Sequence, residues 1–63
     1  MKFTILPLMT VPEDPNQVVE VSEMEADFFG VYHIDKFEEA HWVNDFYERR
    51  DAENYIEKRK RMH

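Results

Sequence analysis

The sequence predicts a small α+β domain: an antiparallel sheet, made of an N-terminal edge strand and a β-hairpin, packed against one C-terminal α-helix. Three observations carry this. Phe28 to Ile34 and Ala40 to Phe46 are runs of β-branched and aromatic residues separated by Asp35 to Glu39, a polar stretch of hairpin length. After Tyr47 the apolar period changes from two to about 3.6, so that Ala52, Tyr55, Ile56, Arg59 and Met62 share one helical face. The whole chain is 63 residues, enough for a single domain, 1–63. A domain of that size buries only roughly 60% of the surface its unfolded chain exposes, so its core is small.

Taken in order, Lys2 to Thr10 is rich in strand formers, with Phe3, Ile5 and Met9 on one face and Leu6 and Leu8 on the other. Pro7 cannot donate to a ladder, which predicts an edge strand paired on one side, or a bulge. Pro12 to Gln17 has turn chemistry and reads as a loop. Val18 to Val21 has strand formers, while Ser22 and Glu25 have capping-box spacing for a turn of helix, so strand and helix both stay open over 18–26. In the hairpin, pairing Ile34 with Ala40 sets Tyr32 against Trp42, Gly30 against Asn44 and Phe28 against Phe46 on one side. Phe29, Val31, His33, His41, Val43 and Asp45 then share the other. From Glu48 to Met62 a helix follows, with Asp51 and Glu53 early and Lys58 to Arg61 late, the order the helix dipole favours.

Composition narrows the function classes. No cysteine is present, which removes disulfides and thiolate metal sites and fits a reducing compartment. Aromatics at 14% and hydrophobic residues at 43% are too many for a disordered chain. Pro7 breaks the short apolar run at the N-terminus, and no small-residue cleavage site follows it, so no signal peptide is expected. No run nears the roughly 18 to 20 apolar residues that span a bilayer. The expectation is a cytoplasmic protein without a membrane role.

The formal net charge of −6 hides two opposite regions. Glu13, Asp14, Glu20, Glu23, Glu25 and Asp27 form a stretch with no base, whereas Arg49, Arg50, Lys58, Arg59, Lys60 and Arg61 crowd the C-terminal helix. FFGVYHI, a polar turn, AHWVNDF and then RRDAENYIEKRKR resembles the aromatic hairpin and "DAE"-type amphipathic helix of small uncharacterised bacteriophage and prophage proteins. The resemblance covers Ala26 to Arg61. It implies an accessory protein that binds something in the cytoplasm of a bacterial host, and it supplies no catalytic residues.

His33, His41 and Asp45 fall on one face in this register and have the donor types of a zinc site, but their spacing matches no closed zinc motif. Two histidines with Arg49 and Arg50 nearby have the groups of ribonuclease-like acid–base catalysis, yet a chain this small has little wall for a substrate pocket. No enzyme, cofactor or metal is therefore expected. The basic helix residues Arg49, Arg50 and Lys58 to Arg61 are the alternative, a nucleic-acid contact opposed by a sequence pI near 4.9. The leading expectation is a small regulator or inhibitor that binds a protein, in a bacterial host or as a homodimer. Phe28, Tyr32, Trp42 and Phe46 supply apolar anchors, and Glu38 and Glu39 flanking charge.

Overall fold

The computed structural model describes residues 2–61. Its elements are β1 (Lys2–Val11), β2 (Asp14–Glu20), a single 3₁₀ turn (Glu23–Glu25), β3 (Phe28–Ile34), β4 (Ala40–Phe46) and α1 (Arg49–Arg61). The strands form one antiparallel sheet in the order β2-β1-β3-β4, with α1 against one face. The α+β class expected from the sequence is the one observed.

Strand β1 is not the edge strand that Pro7 predicts. It lies between β2 and β3, but its two ladders are staggered: Lys2 to Leu8 pairs with β3, while only Leu8 to Val11 pairs with β2. Pro7 explains the stagger. Its carbonyl accepts the Val21 N–H at 2.9 Å, and its ring nitrogen has no hydrogen to return, so the β1–β2 ladder ends there. Each half of the strand is therefore paired on one side only, Lys2 to Pro7 with β3 and Met9 to Val11 with β2, and Leu8 alone has a partner in both.

Strand β2 corrects the loop expected over Pro12 to Gln17. The turn is only Pro12 and Glu13, and Asp14 to Gln17 already runs as exposed strand, with a register shift at Thr10/Val11. The open choice over 18–26 resolves into both alternatives in succession. Val18 to Glu20 extends β2, and Ser22 opens the 3₁₀ turn. The Ser22 hydroxyl donates to Glu25 Oε1 at 2.9 Å instead of accepting a backbone N–H, so the capping-box pair closes one turn and no more.

The hairpin strands begin and end where the sequence predicts. Ile34 pairs with Ala40, His33 with His41 and Tyr32 with Trp42. Beyond Trp42 the register slips, so that Val31 meets Asn44, Gly30 meets Asp45 and Phe29 meets Phe46. Val43 is the extra residue of a β-bulge, and a one-residue slip exchanges the faces of everything after it. Asp45 moves to the side of Gly30 and Tyr32. Phe46, expected beside Phe28 and Trp42, instead packs with Phe29 and, at 5.4 Å between ring centroids, against Tyr55.

Helix α1 covers the face carrying Phe29 and Val31. Ala52 is buried there, with Tyr55 and Ile56 half-buried beside it and Phe3, Ile5, Ala26, Val43 and Phe46 around them. Val31 is fully sealed, and it is the centre of this core. Arg59 lies at the exposed end of the same stripe, over the Tyr55 ring, while Met62 is outside the described residues.

Candidate protein-binding face

The face opposite α1 is built around Gly30. Alternation along the strands points Leu6, Leu8, Phe28, Tyr32, Ala40 and Trp42 to this side, away from the helix. A Cβ on Gly30 would lie 2.9 Å from Leu8 Cδ1, 2.9 Å from Tyr32 Cε1 and 3.3 Å from Asp45 Oδ1. The missing side chain is therefore the space into which those three groups close, and any Cβ there would force Leu8 and Tyr32 to shift. Leu8 is buried as a result, on a face without a helix.

Trp42 stands on this platform. Its indole N–H donates to Asp45 Oδ1 at 2.9 Å, yet 60% of the residue stays exposed. The bulge at Val43 makes the bond feasible, because in a regular strand Trp42 and Asp45 would point to opposite faces. Asn44 helps fix the bulge, its Oδ1 accepting the Asp45 backbone N–H at 2.9 Å. Partial burial, and secondarily the Asp45 charge, raise the Tyr32 phenol above its ordinary value, so it stays a neutral hydroxyl at physiological pH.

At one end the platform opens into a cleft of about 440 Å³ between the ends of β1, β3 and β4, lined by Thr10, Asp27, Phe28, Asp45, Phe46 and Tyr47. Asp27 Oδ2 accepts the Thr10 N–H at 3.4 Å. Tyr47 is largely exposed at this end. Among the described residues, no basic residue lines this cleft.

The structure separates the residues that the sequence grouped. Phe28, Tyr32 and Trp42 share the open face, but Phe46 belongs to the helix-covered one and reaches the open side only as a wall of the cleft. Glu38 and Glu39 sit on the hairpin turn, and Glu38 pairs with Lys2 Nζ at 3.7 Å. Asp45 and Gly30 were not among the expected interface residues, and Asp27 entered only as one member of the acidic stretch. Only the bulge brings Asp45 to Trp42; Gly30, placed by the sequence opposite Asn44, is the signal for a bulge or a close approach at this point, but it does not say which residue slips.

The histidine group comes apart in the same way. His33 and His41 pair across the hairpin, but Asp45 lies on the other face. His33 packs against the Phe3 ring at 5.5 Å between centroids, and His41 Nε2 donates to Asp35 Oδ2 at 2.7 Å. Asp35 Oδ1 also accepts the Phe37 and Glu39 N–H groups, at 2.8 and 3.0 Å. The His41 hydrogen bond, then the backbone bonds, hold the Asp35 carboxyl below its usual range. The Glu39 carboxylate lies close to both, with ligand-type atoms of the three residues within 4.8 Å of one another. The hydrogen bonds account for this cluster as a clasp on the turn.

The basic helix residues are mostly engaged. Arg49 bridges Glu23 at 3.4 Å and Glu53 at 3.3 Å, tying the 3₁₀ turn to the helix. Arg50 reaches Glu48 at 3.9 Å, Arg61 reaches Glu57 at 2.7 Å, and Arg59 donates to Tyr55 Oη at 3.0 Å. Among the described residues, Lys58 and Lys60 alone of the six make no such contact. No described helix is long and apolar enough to cross a membrane. No protein-family model, curated protein or solved structure matches the chain.

Proposed function

We propose that this chain is a non-enzymatic protein-interaction module, a small regulator or inhibitor whose open sheet face binds a protein partner. One observation carries the reading: Trp42 is mostly exposed on the face without a helix, and held in one orientation by Asp45. A large ring fixed before binding loses little rotamer freedom when a partner covers it. The satisfied indole N–H matters as much. Burying the ring strands no indole donor, because its N–H is already bonded within the chain.

Charge gives the partner its character. Asp27, Asp45 and Glu20 flank the apolar platform, which favours a partner surface that is basic around an apolar centre. That the partner is a protein of a bacterial host rests on the resemblance of Ala26 to Arg61 to phage accessory proteins. The nucleic-acid alternative has weaker support, because most of the helix bases it needs already have partners.

The test is capture of proteins from a bacterial lysate by the wild type and by Trp42→Ala and Trp42→Phe, each checked for folding by circular dichroism. Binding should be lost in the alanine variant and weakened in the phenylalanine variant, which keeps the ring but not the bond to Asp45. Equal capture by all three would remove the reading.

A further inference from the structure

We infer that the cleft lined by Asp27, Phe28, Asp45 and Tyr47 takes an arginine side chain of the protein partner. The inference rests on the reading of the open face as a protein-binding surface, since Asp45 belongs to both.

The first argument is unused charge. Lys2, Arg49, Arg50 and Arg61 each lie beside a glutamate elsewhere on the molecule. Asp27 and Asp45, like several exposed acids, have no cationic partner among the described residues, and these two line a cleft. Asp27 commits one carboxylate oxygen to the Thr10 N–H, and Asp45 commits one to the Trp42 indole. The second oxygen of each has no protein donor among the described residues. The second argument is the wall: Phe28 and Tyr47 line the same cleft as the two carboxylates, and so does Phe46, whose ring packs against Tyr55.

Carboxylates beside aromatic faces are the setting in which a guanidinium does better than other cations. Its plane stacks on a ring while its N–H fork pairs with carboxylate oxygens, and it is more weakly hydrated than an ammonium. At about 440 Å³ the cleft also falls within the range of small-ligand sites. A partner that seats an arginine here would lay its neighbouring apolar surface over Tyr32 and Trp42.

The experiment is an NMR titration of the ¹⁵N-labelled chain with a blocked Gly-Gly-Arg-Gly-Gly peptide and with the same peptide carrying neutral citrulline. Saturable shifts should appear at the Asp27 and Tyr47 amides and at the Trp42 indole N–H, and the citrulline peptide should bind about tenfold more weakly. Asp27→Asn and Asp45→Asn preserve shape and remove charge; each should weaken the arginine peptide about threefold. Equal binding of the two peptides, no saturable shift, or shifts centred on the Glu38–Glu39 turn would overturn the inference. So would a dimer in light scattering that dissociates when Lys58 to Arg61 are neutralised, since a second copy would then fill the cleft. If Trp42-dependent capture persists while the arginine peptide fails, the arginine site falls and the protein-binding face stands.

Discussion

On the helix-covered face, Val31 is sealed in one cluster with Phe29 and Ala52; on the open face, Leu8 and Tyr32 close over Gly30 and leave Trp42 in solvent. Both faces are apolar and both belong to the same strands, yet they are assembled by different means. The first removes area from water beneath a helix, the ordinary source of stability in a small domain. The second uses a missing side chain and one hydrogen bond to hold large rings in place without covering them. A sheet of this size can thus keep one face for folding and present the other in a fixed shape.

That division is open to attack by substitution. Val31→Ala should have the largest effect, a loss of about 2 kcal/mol from removed burial and the cavity left behind, seen as a lower urea midpoint at unchanged slope. If it costs no more than an exposed substitution, the core has been placed on the wrong face. Gly30→Ala tests the open face. Its new methyl meets Leu8 and Tyr32 at 2.9 Å and forces both to move. Overpacking costs typically 1 to 3 kcal/mol, and replacing a strand glycine returns roughly 0.5 to 1 kcal/mol, so a net loss of about 1 kcal/mol is expected. Tyr32 and the Trp42 indole should shift in the NMR spectrum of that variant.

Trp42→Ala should then cost about 1 kcal/mol or less, since most of the ring is already in water and one hydrogen bond is lost. A loss as large as that of Val31→Ala would mean that the open face also holds the fold. The Asp35 clasp, on the hairpin turn, should matter least near neutral pH and show itself in acid. Its carboxyl is depressed in the folded chain, so its contribution is complete above the unfolded value of about 3.9 and is lost as pH falls through the lower folded value. The difference in urea midpoint between wild type and Asp35→Asn should shrink through that window. A difference independent of pH would show that charge on Asp35 is not what the clasp uses.

Much of the fold was legible in the sequence, and the failures have one cause. The hairpin and helix were readable because their signals are local: strand-forming runs around a polar turn, then a change of apolar period. Strand β2 was not, because Asp14 to Gln17 carry turn chemistry, and of the four only Asp14 pairs with β1, across the register shift at Thr10/Val11. The place of β1 was half legible. Pro7 does end a ladder, but the stagger between its two partners is a property of the sheet and not of the strand.

The candidate site was legible in its rings and illegible in its polar half. Tyr32 opposite Trp42 followed from the hairpin register. The slip at Val43 then exchanged Phe46 for Asp45, which turned an expected row of four rings into three rings, an indole bond and a cleft with two carboxylates. A single bulged residue thus decided which side chains meet.

The account turns on Trp42 being free and fixed, and the chain has one tryptophan, so its emission reports that residue alone. Acrylamide quenching of the isolated protein at low concentration is the most direct measurement. An exposed Trp42 held by Asp45 should be quenched almost as strongly as a solvent-exposed indole, with the high anisotropy of a ring held to the fold. A blue-shifted emission protected from acrylamide would contradict it, because the open face would then already be covered.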